Sequence, residues 1–115
     1  MSMYDQAQAR KTQHARHQQV ANTIMQQLGG NKFVAMTGAK RVTCFHNGVG
    51  FQLPNAAQGI NWVEITLNEL DFYNVGFYTV TPAIIGKTAV KTVDDLDVEQ
   101  MVDCFKDTTG LAISL

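Results

Sequence analysis

A chain of 115 residues, 45% apolar and 17% charged, has the size and balance of one globular domain, which excludes disorder along its whole length. Its net charge of −1 excludes a uniform polycation, and no apolar run reaches the ~18 residues of a membrane-spanning helix. The opening Met1-Ser2-Met3-Tyr4-Asp5-Gln6 has no apolar signal core, so a cytoplasmic protein without a membrane partner is expected.

The charge is unevenly spread. Residues 1–50 carry six Lys and Arg against Asp5 alone, a net of +5; residues 51–115 carry three Lys against nine carboxylates, a net of −6. Such a split supplies a basic surface for an anionic partner, or two halves that attract one another within one fold or between copies, so a homo-oligomer is among the expected partners.

Residues 5 to 28 hold no Pro or Gly and are rich in helix formers, which predicts one long helix stopped by Gly29-Gly30-Asn31. Val20, Ala21, Ile24, Met25 and Leu28 form its apolar stripe, and the same side carries Arg10, His14 and His17 further back. Its last turns are therefore expected on the core, with residues 1–19 projecting as a frayed basic arm. Lys32 to Thr37 reads as a first strand. Val42–His46 and Val49–Leu53 flank Asn47-Gly48, a two-residue hairpin signal that would set Cys44 opposite Phe51 and place Phe45 and Gln52 on the other face.

Ile60 to Leu67 alternates, with Val63, Ile65 and Leu67 on one face and Trp62, Glu64 and Thr66 on the other. Phe72 to Thr81 is a further strand of open register. An even loop sets Phe72, Tyr78 and Val80 beside Val63 and Ile65; an odd loop sets Tyr73, Val75 and Phe77 there. Residues 83–93 are read as another short strand. Asp94 or Asp95 is the expected N-cap of a helix carrying Val98, Met101, Val102 and Phe105 at helical spacing and closed by Gly110. The expected fold is α+β in two layers over one domain, 1–115. An N-terminal helix precedes an antiparallel sheet of four to six strands, and a C-terminal helix packs on one face.

Constellations for chemistry are thin. Cys44-x-His46 and His14-x-x-His17 lack the second arm that zinc spacings bring, so no metal and no cofactor is expected. Cys44 and Cys104 are expected reduced and buried, and strand residues two apart stand ~6.5 Å from each other, too far for Cys44 to be activated by His46. Gly29-Gly30-Asn31-Lys32 and Thr37-Gly38-Ala39-Lys40-Arg41 are glycine turns with adjacent cations, and neither has Walker spacing. No acid–base pair can be named around Glu64. No catalytic residue is therefore assigned, and a non-enzymatic protein is expected.

The most suggestive feature is apolar. If helices cover the face bearing Phe51 and Leu53, the other face shows Phe45, Trp62 and, by register, either Tyr73 with Phe77 or Phe72 with Tyr78. Phe45, Trp62, Tyr73 and Phe77 form the candidate partner interface, a surface fitted to stacking bases or to another protein.

The run Leu28-Gly29-Gly30-Asn31-Lys32-Phe33-Val34-Ala35-Met36-Thr37-Gly38-Ala39-Lys40 resembles a motif of small uncharacterised proteins of phages and mobile elements. Gly59 to Asn68, Thr109-Gly110-Leu111 and Ser114-Leu115 are also similar, so the resemblance spans most of 28–115 and leaves the first helix uncovered. It implies a phage or mobile-element origin and assigns no active residue. The reading that follows is a small binding protein that contacts nucleic acid or nucleoprotein through Arg10, Lys11, His14, Arg16, His17, Lys40 and Arg41. The alternative is a protein–protein modulator, such as an inhibitor of a host defence enzyme, acting through the sheet aromatics.

Overall fold

In a computed structural model, residues 19–54, 56–81 and 87–111 are described. The first helix, α1, occupies residues 19–28 of these and stops at the expected glycines. Gly29 and Gly30 both take positive φ, 129° and 61°, and both donate their N–H groups back to the Met25 carbonyl. Ala21, Ile24 and Leu28 are buried, so the stripe read from the sequence is the face that packs. The expected helix before residue 19 lies outside the described residues.

Where a first strand was expected, Asn31–Thr37 forms a second helix, α2. Phe33 and Thr37 are its buried residues, four apart, while Lys32, Val34, Ala35 and Met36 face outward. An alternating strand would have buried Ala35 with them. Gly38 closes α2 in the left-handed region, φ 72°, its N–H donating to the Val34 carbonyl. Seven residues are too few to hold a helix alone, so burial of Phe33 decides the conformation that local propensity leaves open.

Among the described residues five strands follow, β1 (Lys40–Phe45), β2 (Gly48–Gln52), β3 (Trp62–Leu67), β4 (Tyr73–Val80) and β5 (Lys87–Leu96), paired antiparallel in chain order. The first hairpin turns one residue earlier than the Asn-Gly signal implies. Phe45 pairs with Gly48 and Cys44 with Val49, so the turn is His46-Asn47 and only Asn47 is left-handed, φ 61°. Both strands keep their faces because the pairing moves by two positions. Phe45 remains on the side away from Phe51.

The β3–β4 connection has the odd count. Val63 pairs with Phe77, Ile65 with Val75 and Leu67 with Tyr73, which puts Tyr73, Val75 and Phe77 in the core. Asn68 shapes that connection: its side-chain oxygen accepts the N–H groups of Leu70 and Phe72, and its amide donates to Asn74 and Asp95.

The last strand, β5, runs longer than the short strand expected, and Asp94 and Asp95 belong to it. The N-cap of the final helix α3 (Val98–Thr109) is Asp97. Its carboxylate accepts the Gln100 N–H at 2.8 Å, and the Asp97 N–H donates to the Gln100 side chain at 3.0 Å, a reciprocal capping box. Asp97→Ala is expected to remove about 1 kcal/mol of stability, readable as a lower urea midpoint at unchanged slope.

Among the described residues the three α-helices lie on one face of the sheet, with Ile24, Leu28, Phe33, Met101 and Phe105 set against Val49, Phe51, Val63, Ile65 and Phe77. Phe33 and Phe105 each stand 5.3 Å from a neighbouring ring, and Phe51 to Phe105 is 6.0 Å, an aromatic triad joining α2, β2 and α3. The fold class expected from the sequence is the fold observed.

Candidate functional site

The helices leave the opposite face of the sheet without a described covering element, and the pairings fix which side chains occupy it. One row crosses all five strands as Lys40, Gln52, Trp62, Tyr78 and Ala89. The adjacent row reads Thr43, Gly50, Glu64, Gly76 and Thr92. A third begins with Phe45, Gly48, Thr66 and Asn74. Aromatic side chains therefore alternate with glycines on this face, and the rings fill the space the glycines leave.

Gly50 is roofed from two sides. A Cβ there would meet Phe45 Cζ and Trp62 Cζ2, each at 2.8 Å, so both rings lie over the same residue. Gly76 is covered by Tyr78, two residues along its own strand, whose ring would stand 2.6 to 2.7 Å from an added Cβ at its Cε2 and Cζ atoms. Glycine in a strand interior marks such a close approach. Phe45, Trp62 and Tyr78 remain half-buried, each with part of its ring open to solvent.

Charge sits beside the rings. Lys87 holds its ammonium 4.7 Å from the centre of the Tyr78 ring and pairs with the Glu64 carboxylate. Glu64, Thr66, Asn74, Tyr78 and Lys87 line a shallow depression of about 190 Å³ over Gly76. Lys40 stands exposed at one end of the Trp62–Tyr78 row, and Arg41 follows it with φ 53°, at the irregularity where β1 bulges against β2.

The sequence-derived candidates separate into three groups. Lys40 and Arg41 are exposed together on the edge strand, and Phe45 and Trp62 are on the uncovered face as expected. Tyr73 and Phe77 are not: they are 6% and 0% exposed, and the Tyr73 hydroxyl donates to Gln27 of α1 at 2.7 Å. The five-residue β3–β4 connection turns them inward and turns Tyr78 outward in their place. Arg10, Lys11, His14, Arg16 and His17 lie outside the described residues. Tyr78 comes from the alternative register that the sequence left open, and Lys87 is the member of the face that sequence reasoning missed. The Gly76-x-Tyr78 spacing is the signal that favours Tyr78, because a strand glycine vacates one face for a neighbouring large side chain; no comparable signal marks Lys87.

Cys44 corrects a further expectation, since it is exposed on the edge strand rather than buried; Cys104 is half-buried against the core, and both are free thiols. A second cleft of about 420 Å³ lies between α1 and the two turns, with Val20, Asn47, Leu67, Asn68, Glu69 and Asp71 among its walls. Among the described residues no three His, Cys, Asp or Glu side chains gather as metal ligands, and no helix is long and apolar enough to cross a membrane.

What the uncovered face offers is contact chemistry: partly open rings, amide and hydroxyl groups between them, and cations at two of its margins. No family model matches the chain, and no curated protein or solved structure is significantly similar to it.

Proposed function

We propose that this chain is a non-enzymatic binding protein of phage or mobile-element type whose partner is nucleic acid or a nucleoprotein. The observation that carries the reading is the exposed Lys40–Arg41 pair at the start of β1, an edge strand among the described residues, in a chain half with a net charge of +5. Among the described residues neither cation forms an ion pair with a carboxylate, so both can meet a phosphate backbone without first breaking one. The residues of the basic first segment, Arg10, Lys11, His14, Arg16 and His17, extend the same sign of charge along the chain.

Fluorescence anisotropy with labelled oligonucleotides tests the reading. Binding is expected at low salt and should weaken by orders of magnitude between about 50 and 200 mM. Lys40→Ala with Arg41→Ala should lower affinity and reduce the salt slope by roughly 1 for each phosphate no longer neutralised, and Arg10→Ala with Arg16→Ala should act in the same direction. Failure to bind any nucleic acid at low salt removes the proposal.

A further inference from the structure

Resting on that reading, and naming its substrate class, we infer that the uncovered sheet face is a stacking platform for single-stranded nucleic acid, with Trp62 and Tyr78 receiving bases and Lys40 and Lys87 receiving the flanking phosphates. Trp62 and Tyr78 are directly paired across β3 and β4, and Lys40 lies in the same row two strands away from Trp62. Lys87 stands over the Tyr78 ring, so a base that stacks there takes the place of its ammonium, which moves to the adjoining phosphate. Cations at both margins with aromatic rings between them match a strand of nucleic acid lying across the sheet, its backbone charged and its unpaired bases presenting π-faces.

The glycines make the surface accessible to a base. Gly50 and Gly76 carry no side chain, so the Phe45, Trp62 and Tyr78 rings settle over the backbone instead of standing clear of it, and the floor stays low. Gln52 and Asn74 add amide groups to the same face; the Asn74 oxygen already accepts from the Asn68 amide and the Asp95 N–H, which leaves its N–H groups and the Gln52 amide to meet base edges. A duplex, whose bases are already stacked on one another, gains nothing from such a floor. The shared chemistry is an unpaired base on a charged backbone, so single-stranded DNA and RNA both qualify.

Glu64 is the feature that opposes an anionic ligand, and it turns the inference into a sharp test. Its carboxylate sits in the middle of the face, paired with Lys87. Removing that charge frees Lys87 for phosphate and lifts a local repulsion.

Trp62 is the single tryptophan of the chain, so its emission reports on this face alone. Oligodeoxyuridylate and oligouridylate, each on the order of 20 nucleotides and so longer than the footprint of a small single-strand binder, are titrated against the full chain beside a duplex of equal length. Binding of either single strand is expected to quench Trp62, with the duplex weaker; the ratio of the two arms assigns the sugar. Tyr78→Leu should weaken the single-strand complex on the order of 10-fold or more. Trp62→Phe, which keeps a ring over Gly50, should lose less than Trp62→Leu. Glu64→Gln should bind several-fold tighter at low salt, with the gain fading as salt rises.

Thermal melts of each variant separate impaired binding from impaired folding, and Glu64→Gln supplies a gain that no folding defect imitates. Tight binding with unchanged Trp62 emission and unaffected Tyr78→Leu affinity overturns the platform while leaving the basic edge as the nucleic-acid site. Absence of all binding overturns both. Salt-insensitive quenching that grows with protein concentration and needs no oligonucleotide assigns the face to a second copy of the chain and overturns the platform.

Discussion

Phe51→Ala is expected to destabilise the domain by about 3–5 kcal/mol, measured by urea unfolding against the parent chain. Phe51 is fully buried on β2 and touches both other rings of the triad, Phe33 5.3 Å away and Phe105 6.0 Å away. Truncation removes the transfer free energy of the ring and opens a hole whose walls belong to three different elements. Those walls relax poorly, because α2 is closed at Gly38 and α3 is tied at both ends, at Asp97 and at Gly110. Domains of this size are commonly stable by about 5–15 kcal/mol, so the variant would unfold substantially under mild denaturant. A decrease below about 1 kcal/mol would show that the triad is not the centre of the core.

Gly48→Ala is the second large effect, expected near 3 kcal/mol, toward the upper end of what overpacking costs. An added Cβ would press into the Ile65 carbonyl oxygen and stand 2.7 Å from Thr66 Cγ2 and 2.9 Å from Thr66 Cα. The obstruction is backbone of the neighbouring strand, which no rotamer change relieves, so β2 and β3 must separate where Gly48 pairs with Thr66. Gly50→Ala should be milder, since Phe45 and Trp62 present ring tips that swing aside. Hydrogen exchange should therefore accelerate along the β2–β3 ladder in Gly48→Ala and much less in Gly50→Ala. The reverse order would mean that the rings, and not the strand backbone, are the rigid part of the face.

The helices bounded by strong punctuation were legible from residues alone. Gly29-Gly30 and Gly110 end their helices because glycine reaches the left-handed region without steric cost, and the Val98–Phe105 stripe is long enough to declare its period. The alternation of Val63, Ile65 and Leu67 settled one face of β3 for the same reason. Legibility ended wherever a single residue decided parity. The β3–β4 connection moves Tyr73 and Phe77 from surface to core by its odd count, and nothing local announces that count. The segment after Gly30 contains Phe, Val and Met that suit a short strand as well as a short helix, and only the docking of Phe33 chooses between them. Asp94, Asp95 and Asp97 all precede α3 and are chemically equivalent as caps; the cap falls on Asp97 because Gln100 lies three residues on to complete the reciprocal pair.

For the site, Phe45 and Trp62 followed from hairpin alternation, which survives a two-position slip. Tyr78 and Lys87 did not, because one depended on that loop count and the other on β5, whose pairing with β4 shifts register twice.

The strand order repeats the chain order, so every β–β contact joins a segment to the one just before it. Closing such neighbouring hairpins requires little loop entropy, and search time grows with the sequence distance that must be spanned. A nascent chain leaving the ribosome can therefore add each strand to the sheet already behind it. The sheet would grow by accretion, with α3, which follows the strands in the chain, sealing the hydrophobic layer that they have laid down.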